Sequence, residues 1–296
     1  MERRQPFFSV IVPTYRRPQQ LATCLASLAK LEYPGDRFEV IVVDDGGGGA
    51  LDAVVATVRD SLPVTLLRQP HVGPSGARNA GAVKAKGEYL IFTADDCMPA
   101  VNWLSTLAMR AVAEPDSAVG GAIINALPDN HYSTATHLLI EYLYSYYNAL
   151  PGAAKFFTPN NLAVPTDRYH AIGGFNESFV RATGEDREFC DRWTRHGYRM
   201  RYAPEVIVTH AHPLTFRAFL RQHFNYGRGT FRYRTMQASL RARQMSLEPM
   251  SFYLNLLRAS RSVARTKRNV RLTLLLGVSQ VANAAGFVWE SMERRG

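Results

Sequence analysis

The sequence predicts an α/β domain with a mostly parallel central sheet flanked by helices, followed by a helical C-terminal extension. Three observations predict it. Short β-rich apolar runs alternate with helix-spaced segments through the first hundred residues. Two of those runs end in paired acids, Asp44-Asp45 and Asp95-Asp96. The charge balance also changes sharply near residue 215, which divides the chain into domains at 1–215 and 216–296.

In chain order, Phe8–Val12 reads as the first strand, and Arg17–Leu31 as a helix with Leu21, Cys24, Leu25 and Leu28 on one face. Glu39–Asp45 is a continuous apolar run ended by acids and glycines, the pattern of a parallel strand buried on both faces. A helix over Leu51–Ser61, a strand over Val64–Arg68, a helix over Gly76–Lys86 and a strand over Tyr89–Thr93 continue the alternation. Further on, Tyr132–Leu150 reads as a tyrosine-rich helix and Pro159–Pro165 as a loop entering a strand. Short helices follow over Arg168–Ile172 and Glu185–His196, each stopped by glycine, then a strand over Val206–His210. From Phe216 onward the pattern is mainly helical.

Composition narrows the classes. Residues 1–215 hold 20 Lys and Arg against 22 Asp and Glu, whereas residues 216–296 hold 15 against 3, so the second segment carries a net +12. Such a segment suits nucleic acid, an anionic membrane surface or an anionic substrate. Three scattered cysteines make neither a disulfide framework nor a zinc site, and point to a reducing compartment. The N-terminal apolar run is short and contains Pro13, so it reads as a strand rather than a signal peptide. Gly46–Gly49 does not extend to GxGxxG, because Leu51 stands where the third glycine would, and no GxxxxGK[ST] occurs. Both absences count against dehydrogenase and P-loop chemistry.

Ligands of parallel sheets bind beyond the carboxyl ends of the strands. Four acids therefore sit on the expected binding edge. Asp95-Asp96 suits a divalent cation held jointly with diphosphate oxygens, helix capping being the plainer alternative. Asp44-Asp45, with Pro13 and Tyr15 at the end of the first strand, could line a nucleoside pocket or simply end a strand. Arg78 lies in the first turn of a helix, where a cation opposes the helix dipole, and this suggests an anionic partner. Glu185 and Asp186 complement the dipole of the helix they open, but one of them beside a bound diphosphate could also deprotonate an acceptor hydroxyl. His210 and His212 share one side of a strand by two-residue alternation, as structural histidines or as metal or phosphate contacts.

Six stretches in this order resemble inverting family 2 glycosyltransferases with the GT-A fold: SVIVPTYRRP at 9–18, VIVVDDG at 40–46, GPSGARNAG at 73–81, YLIFTADDCMP at 89–99, NNLAVPTDRYHAIGGFNESF at 160–179 and GEDREFCDRWTRHG at 184–197. The resemblance covers about two-thirds of the chain. It implies that Asp44 or Asp45 contacts the base or ribose, that Arg78 lies on the nucleotide side, and that Asp95 contacts the donor. It implies Asp96 as the metal ligand, with His210 or His212 completing the Mg2+ or Mn2+ site, and Asp186 as catalytic base, with Glu185 the substitute. Ala94 stands where many members carry a third acid, so contacts to the donor sugar are expected to differ. The implied donor is a nucleotide-diphosphate sugar, a UDP-sugar first. The implied reaction is direct displacement at the anomeric carbon.

Leu272–Trp289 is 18 residues without a charge, about 27 Å as a helix. That is borderline for spanning a membrane. Thr273, Gln280 and Asn283 on one face favour a helix lying in the interface, flanked by arginines and by Trp289, with the Tyr142–Tyr147 segment beside it. The expected setting is the cytoplasmic face of an anionic membrane, with a glycan or a lipid-linked glycan supplying the acceptor hydroxyl. Packing against another helix or a second subunit is the alternative. Nucleic-acid binding is the competing reading of the basic segment, and four acids on the binding edge oppose it; a non-catalytic scaffold on the GT-A fold is the other alternative.

Overall fold

The computed structural model describes residues 5–49, 51–150, 152–179, 183–241, 245, 247–259 and 267–293. The elements of the first half are β1 (Phe8–Thr14), α1 (Pro18–Leu28), β2 (Phe38–Asp45), α2 (Leu51–Ala56), β3 (Val64–Gln69), α3 (Pro74–Lys84), β4 (Tyr89–Phe92), β5 (Cys97–Pro99), α4 (Trp103–Ala113) and β6 (Ala118–Asn125). Those of the second half are α5 (His131–Tyr147), β7 (Leu162–Pro165), α6 (Thr166–Ala171), α7 (Glu185–Arg195), β8 (Met200–His210), α8 (Phe216–Arg241), α9 (Met250–Ala259) and α10 (Lys267–Glu293). The chain divides into two compact units. The first holds residues 1–124, 148–182 and 186–211, and the second 125–147, 183–185 and 212–296.

The first unit is built on one sheet in the order β3-β2-β1-β4-β7-β6-β8-β5. Strands β3, β2, β1 and β4 run parallel, and β7 pairs antiparallel with β4 and with β6. Val10, Val12, Val40 and Val42 are fully buried and Ile41 nearly so, as helix-covered parallel strands require. The β1–β2 register sets Thr14 beside Asp44, so the carboxyl ends of the strands lie level on one edge.

Two strands, β5 and β6, and helix α4 were not expected from the sequence. In β6 the pair Gly120-Gly121 hides the alternation. A Cβ on Gly121 would lie 2.2 Å from the Val206 carbonyl oxygen and from the Asn161 amide. That amide donates to Ala122 O at 2.8 Å and Val206 O at 2.9 Å, while Asn161 Oδ1 accepts from Trp103 Nε1 at 3.0 Å. The glycine is there because a buried polar clamp needs the space. Helix α2 stops at Ala56 rather than Ser61, and the hydroxyls of Thr57 and Ser61 donate to the carbonyls of Val54 and Val58.

The second unit packs α5, α8 and α9 around α10. Helix α5 belongs to it through Ala135 and Leu138, which bury against Leu214, Phe219, Leu272 and Leu275. Helices α8 and α10 meet at backbone contact: a Cβ on Gly227 would lie 1.8 Å from Asn283 O, and one on Gly286 1.8 Å from Phe224 O. Glu290, almost fully buried, accepts from Arg228 at 2.6 Å and from Arg232. The tyrosines of α5 serve internal packing: Tyr142 donates to Phe252 O and Tyr147 to Glu248, both at 2.7 Å. Of the arginines expected to precede α10, Arg261 and Arg265 lie outside the described residues.

Candidate active site

The site is assembled at the carboxyl edge of β1, β2 and β4. At the end of β2 the two acids have different surroundings. Asp45 Oδ1 accepts from Gln69 Nε2 at 2.8 Å and Val72 N at 3.0 Å. Its Oδ2 accepts from Gly73 N at 2.9 Å and lies 2.8 Å from His71 Nδ1. Four partners leave Asp45 holding the segment that leads into α3. Asp44 Oδ1 accepts from Gly47 N at 2.7 Å, and the Arg68 guanidinium stands 3.9 Å from Oδ2. Asp44 thus keeps more acceptor capacity for a ligand.

Above this pair lies an aromatic wall. Tyr15 and His71 stack with ring centroids 4.2 Å apart and planes 24° from parallel, and the Arg16 guanidinium sits 5.0 Å from the Tyr15 ring. Gly46, at φ +85°, lets the chain pass His71, whose backbone nitrogen would lie 2.9 Å from a Cβ there. Pro13 is half-buried in β1 opposite Val43. His71 carries no local sequence signal, because its position depends on the tertiary bond to Asp45.

Asp95 and Asp96 follow β4 and are 3% and 6% exposed, too buried to remain ionised without partners. Asp95 Oδ2 accepts from Thr14 Oγ1 at 2.8 Å and Oδ1 meets Arg17 at 2.8 Å. Asp96 Oδ2 accepts from Arg17 at 2.6 Å, and Oδ1 lies 3.0 Å from His210 Nε2. Burial pushes the Asp95 carboxyl up to about 6; Arg17 opposes the shift and Asp96 adds to it. The β5–β8 register sets Cys97 against His210, and Ala211 N donates to Asp96 O at 2.8 Å, so His210 is held beside Asp96 by the sheet itself. His212, two residues on, belongs to the second unit, where its Nε2 lies 3.3 Å from Gln222 Oε1. Two carboxylates and an imidazole, with a cation already lying across the carboxylates, are a donor set that suits Mn2+ or Mg2+. Thr14 and Arg17 complete this cluster.

Arg78 lies on α3, 5% exposed, with its guanidinium 5.2 Å from the Phe175 ring. The next residue, Asn79, ties α3 to the 169–177 segment, accepting from Tyr169 Oη at 2.6 Å and Phe175 N at 2.8 Å. Helix α7 is anchored by Arg192, which pairs with Glu188 at 2.7 Å and donates to Ile172 O and, at 2.7 Å, Gly174 O. These ties fix the opening of α7, where Glu185 is buried and Asp186 half-buried. Burial raises the pKa of Asp186, against the charges of Arg187 and Arg78, so it is a stronger base than an ordinary aspartate.

The model for "Glycosyl transferase family 2" matches residues 9–172, and that for "Glycosyl transferase family group 2" matches residues 94–292. The chain is 29% identical over 233 residues to glycosyltransferase AglE of Haloferax volcanii, covering 76% of this chain and 73% of that one. It is 26% identical over 309 residues to an N-acetylglucosaminyltransferase of Sinorhizobium fredii, covering 97% of this chain and 70% of the relative. Among solved structures, the mannosyltransferase PcManGT of Pyrobaculum calidifontis, in complex with GDP-Man and Mn2+, superposes with a TM-score of 0.66 at 19% identity. That match covers 97% of this chain and 88% of the other, and shows a shared fold, the GT-A fold that the sequence motifs imply.

Proposed function

The chain belongs to glycosyl transferase family 2, and from that premise we propose that this nucleotide-sugar glycosyltransferase works by inverting displacement at the edge of β1, β2 and β4. The observation that carries the proposal is the buried Asp95-Asp96 pair level with Asp44 at the ends of parallel strands. Asp44 takes the base or ribose, with Pro13 and the Tyr15–His71 stack as the wall and Asp45 holding the loop. Arg78 faces the anionic side of the donor, and Asp95 its ribose or sugar hydroxyls.

Asp96 and His210, with His212 the third candidate, would hold Mn2+ or Mg2+, which supplies positive charge against the departing diphosphate. The Mn2+ complex of the Pyrobaculum calidifontis enzyme supports this choice of ion. Asp186 accepts the proton of the acceptor hydroxyl, and its raised pKa suits that task. The acceptor oxygen then bonds to the anomeric carbon as the bond to the diphosphate oxygen breaks, and configuration inverts. Glu185 is the alternative base.

The test is transfer from a nucleotide sugar, the donor first found by thermal shift against UDP-, GDP- and dTDP-sugars with Mn2+. A UDP-sugar is expected to stabilise most. Asp186→Asn and Asp96→Ala are expected to lower turnover by on the order of 100-fold or more. Unchanged turnover in both would overturn the site.

The acceptor proposed is a lipid-linked glycan, met at an anionic membrane on the cytoplasmic face, in envelope polysaccharide or glycolipid synthesis. Val270–Glu293 has mean hydropathy 1.4 and is long and apolar enough to cross a membrane. Its exposed face carries Val270, Leu274, Val278, Val281, Val288, Trp289 and Met292, while Leu272, Leu276, Ser279 and Glu290 are buried. One covered face holding an ion-paired glutamate favours lying in the interface over spanning it alone. Flotation with anionic vesicles tests this, and absence of lipid association at low salt counts against it.

A further inference from the structure

The Arg17 guanidinium bridges the two acids of the donor site, one nitrogen 2.8 Å from Asp95 Oδ1 and the other 2.6 Å from Asp96 Oδ2. The remaining oxygens are also engaged, Asp95 Oδ2 by Thr14 Oγ1 at 2.8 Å and Asp96 Oδ1 by His210 Nε2 at 3.0 Å. All four carboxylate oxygens therefore have a partner, and the site is closed by a cation that belongs to the chain. Two adjacent buried carboxylates repel each other strongly unless positive charge lies between them.

The residue also stands where local structure disfavours it. Arg17 is the N-cap of α1, a position that prefers Ser, Thr, Asp or Asn, and its side chain makes no capping bond. Its charge meets the positive end of the helix dipole. The preceding Arg16 turns the chain at φ +56°, uncommon for a residue with a side chain. The local cost is offset by the pairing with Asp95 and Asp96. Of the three groups around the acids, Arg17 is the one best placed to leave. Its side chain is 33% exposed, whereas Thr14 is buried in β1 and His210 is fixed by the β5–β8 register.

We infer that Arg17 is an exchangeable counter-cation: it neutralises Asp95 and Asp96 while no divalent ion is bound, and a divalent ion enters by displacing it. Entry of the ion then frees a planar guanidinium beside the anionic donor, and that fork suits two diphosphate oxygens. The ion and the diphosphate are thereby coupled through one side chain. In the absence of nucleotide the ion must compete with Arg17, and the released arginine repays part of that cost only when a diphosphate is present.

This inference rests on the reading of Asp96 as a metal ligand, so the experiment separates the two. Mn2+ binding is measured by electron paramagnetic resonance of the free ion, with no sugar donor, on the wild-type chain and on Arg17→Gln, Arg17→Lys and Asp96→Ala. Arg17→Gln is expected to bind Mn2+ alone on the order of tenfold more tightly than wild type, because a charge competitor is gone. Arg17→Lys, which keeps the charge, is expected near wild type. Added UDP is expected to tighten Mn2+ binding more in wild type than in Arg17→Gln. If Mn2+ binds wild type, is lost in Asp96→Ala, and binds Arg17→Gln no more tightly, the counter-cation role is wrong and the metal site stands. If Asp96→Ala binds as wild type does, or no variant binds with or without UDP, both readings fall. Should Arg17→Gln not fold, the smaller response of Arg17→Lys to UDP decides: an undiminished response overturns the coupling.

Discussion

Individual acids at the carboxyl edge of the sheet are held at a cost to stability. Asp95 is nearly fully buried, and its pKa is pushed up to about 6, mainly by burial. In the unfolded chain it titrates near the ordinary aspartate value, about 3.9. A raised folded pKa means that its contribution is intact below pH 4 and is lost as the pH climbs through about 6. Asp95→Asn is therefore expected to stabilise the metal-free protein at pH 7 by about 1–3 kcal/mol and to change little at pH 4. Denaturant melts at the two pH values check this, and equal effects at both would refute it. The same substitution is expected to lower transfer, the usual exchange between stability and function. Asp45 differs, since its carboxylate holds the 69–73 segment through four partners. Asp45→Asn is expected to lower thermal stability, whereas Asp44→Asn is expected to raise the KM for the donor with little change in stability, which melting curves beside donor kinetics separate.

At the scale of elements, glycines report where backbones touch. Gly227 of α8 and Gly286 of α10 leave no space for a methyl group, the nearest atoms being carbonyl oxygens at 1.8 Å. Gly277, within the same α10, has nothing within 4 Å of a built Cβ. Alanine favours a helix over glycine by about 1 kcal/mol, so Gly277→Ala is expected to be neutral or stabilising. At Gly227 and Gly286 the clash outweighs that gain, and alanine is expected to cost about 1–3 kcal/mol. Thermal melts of the three variants test this, and a stabilised Gly286→Ala would show that the crossing is looser than described. Helix α7 is tied to the 172–174 turn by Arg192, so Arg192→Ala is expected to lower turnover without touching the acids at the helix start.

For the whole molecule, charge and apolar surface are the features that concern a membrane. Part of the basic segment is spent internally, as Arg228, Arg232 and Arg234 pair with Glu290 and Glu248. Arg217, Arg221, Arg258 and Arg271 stay exposed, as do Val270, Leu274, Val281, Val288 and Trp289 on one face of α10. Binding to anionic vesicles is expected to weaken as salt rises from 0.05 to about 0.5 M, because screening shortens the reach of the arginines. Replacing Leu274 and Val281 by Asp is expected to abolish it at any salt by removing apolar contact. Co-sedimentation across a salt series distinguishes the two contributions.

What the sequence determined was the carboxyl edge of the sheet and the acids on it. The strands β1, β2 and β4, the acids at their ends, Arg78 before the middle of α3 and Asp186 at the opening of α7 are each set by local pattern, so hydrophobic runs and motif order were enough to find them. Tertiary structure decided the partners. It alone set Arg17 across Asp95 and Asp96, distinguished a loop-holding Asp45 from Asp44, and brought His71 onto Tyr15. It also placed α5 with the C-terminal helices. The physical reason is one of range. A strand, a helix start or a turn is fixed by neighbours a few residues away, whereas an ion pair or a close helix crossing joins residues about 60 to 80 positions apart and exists only once the chain has folded.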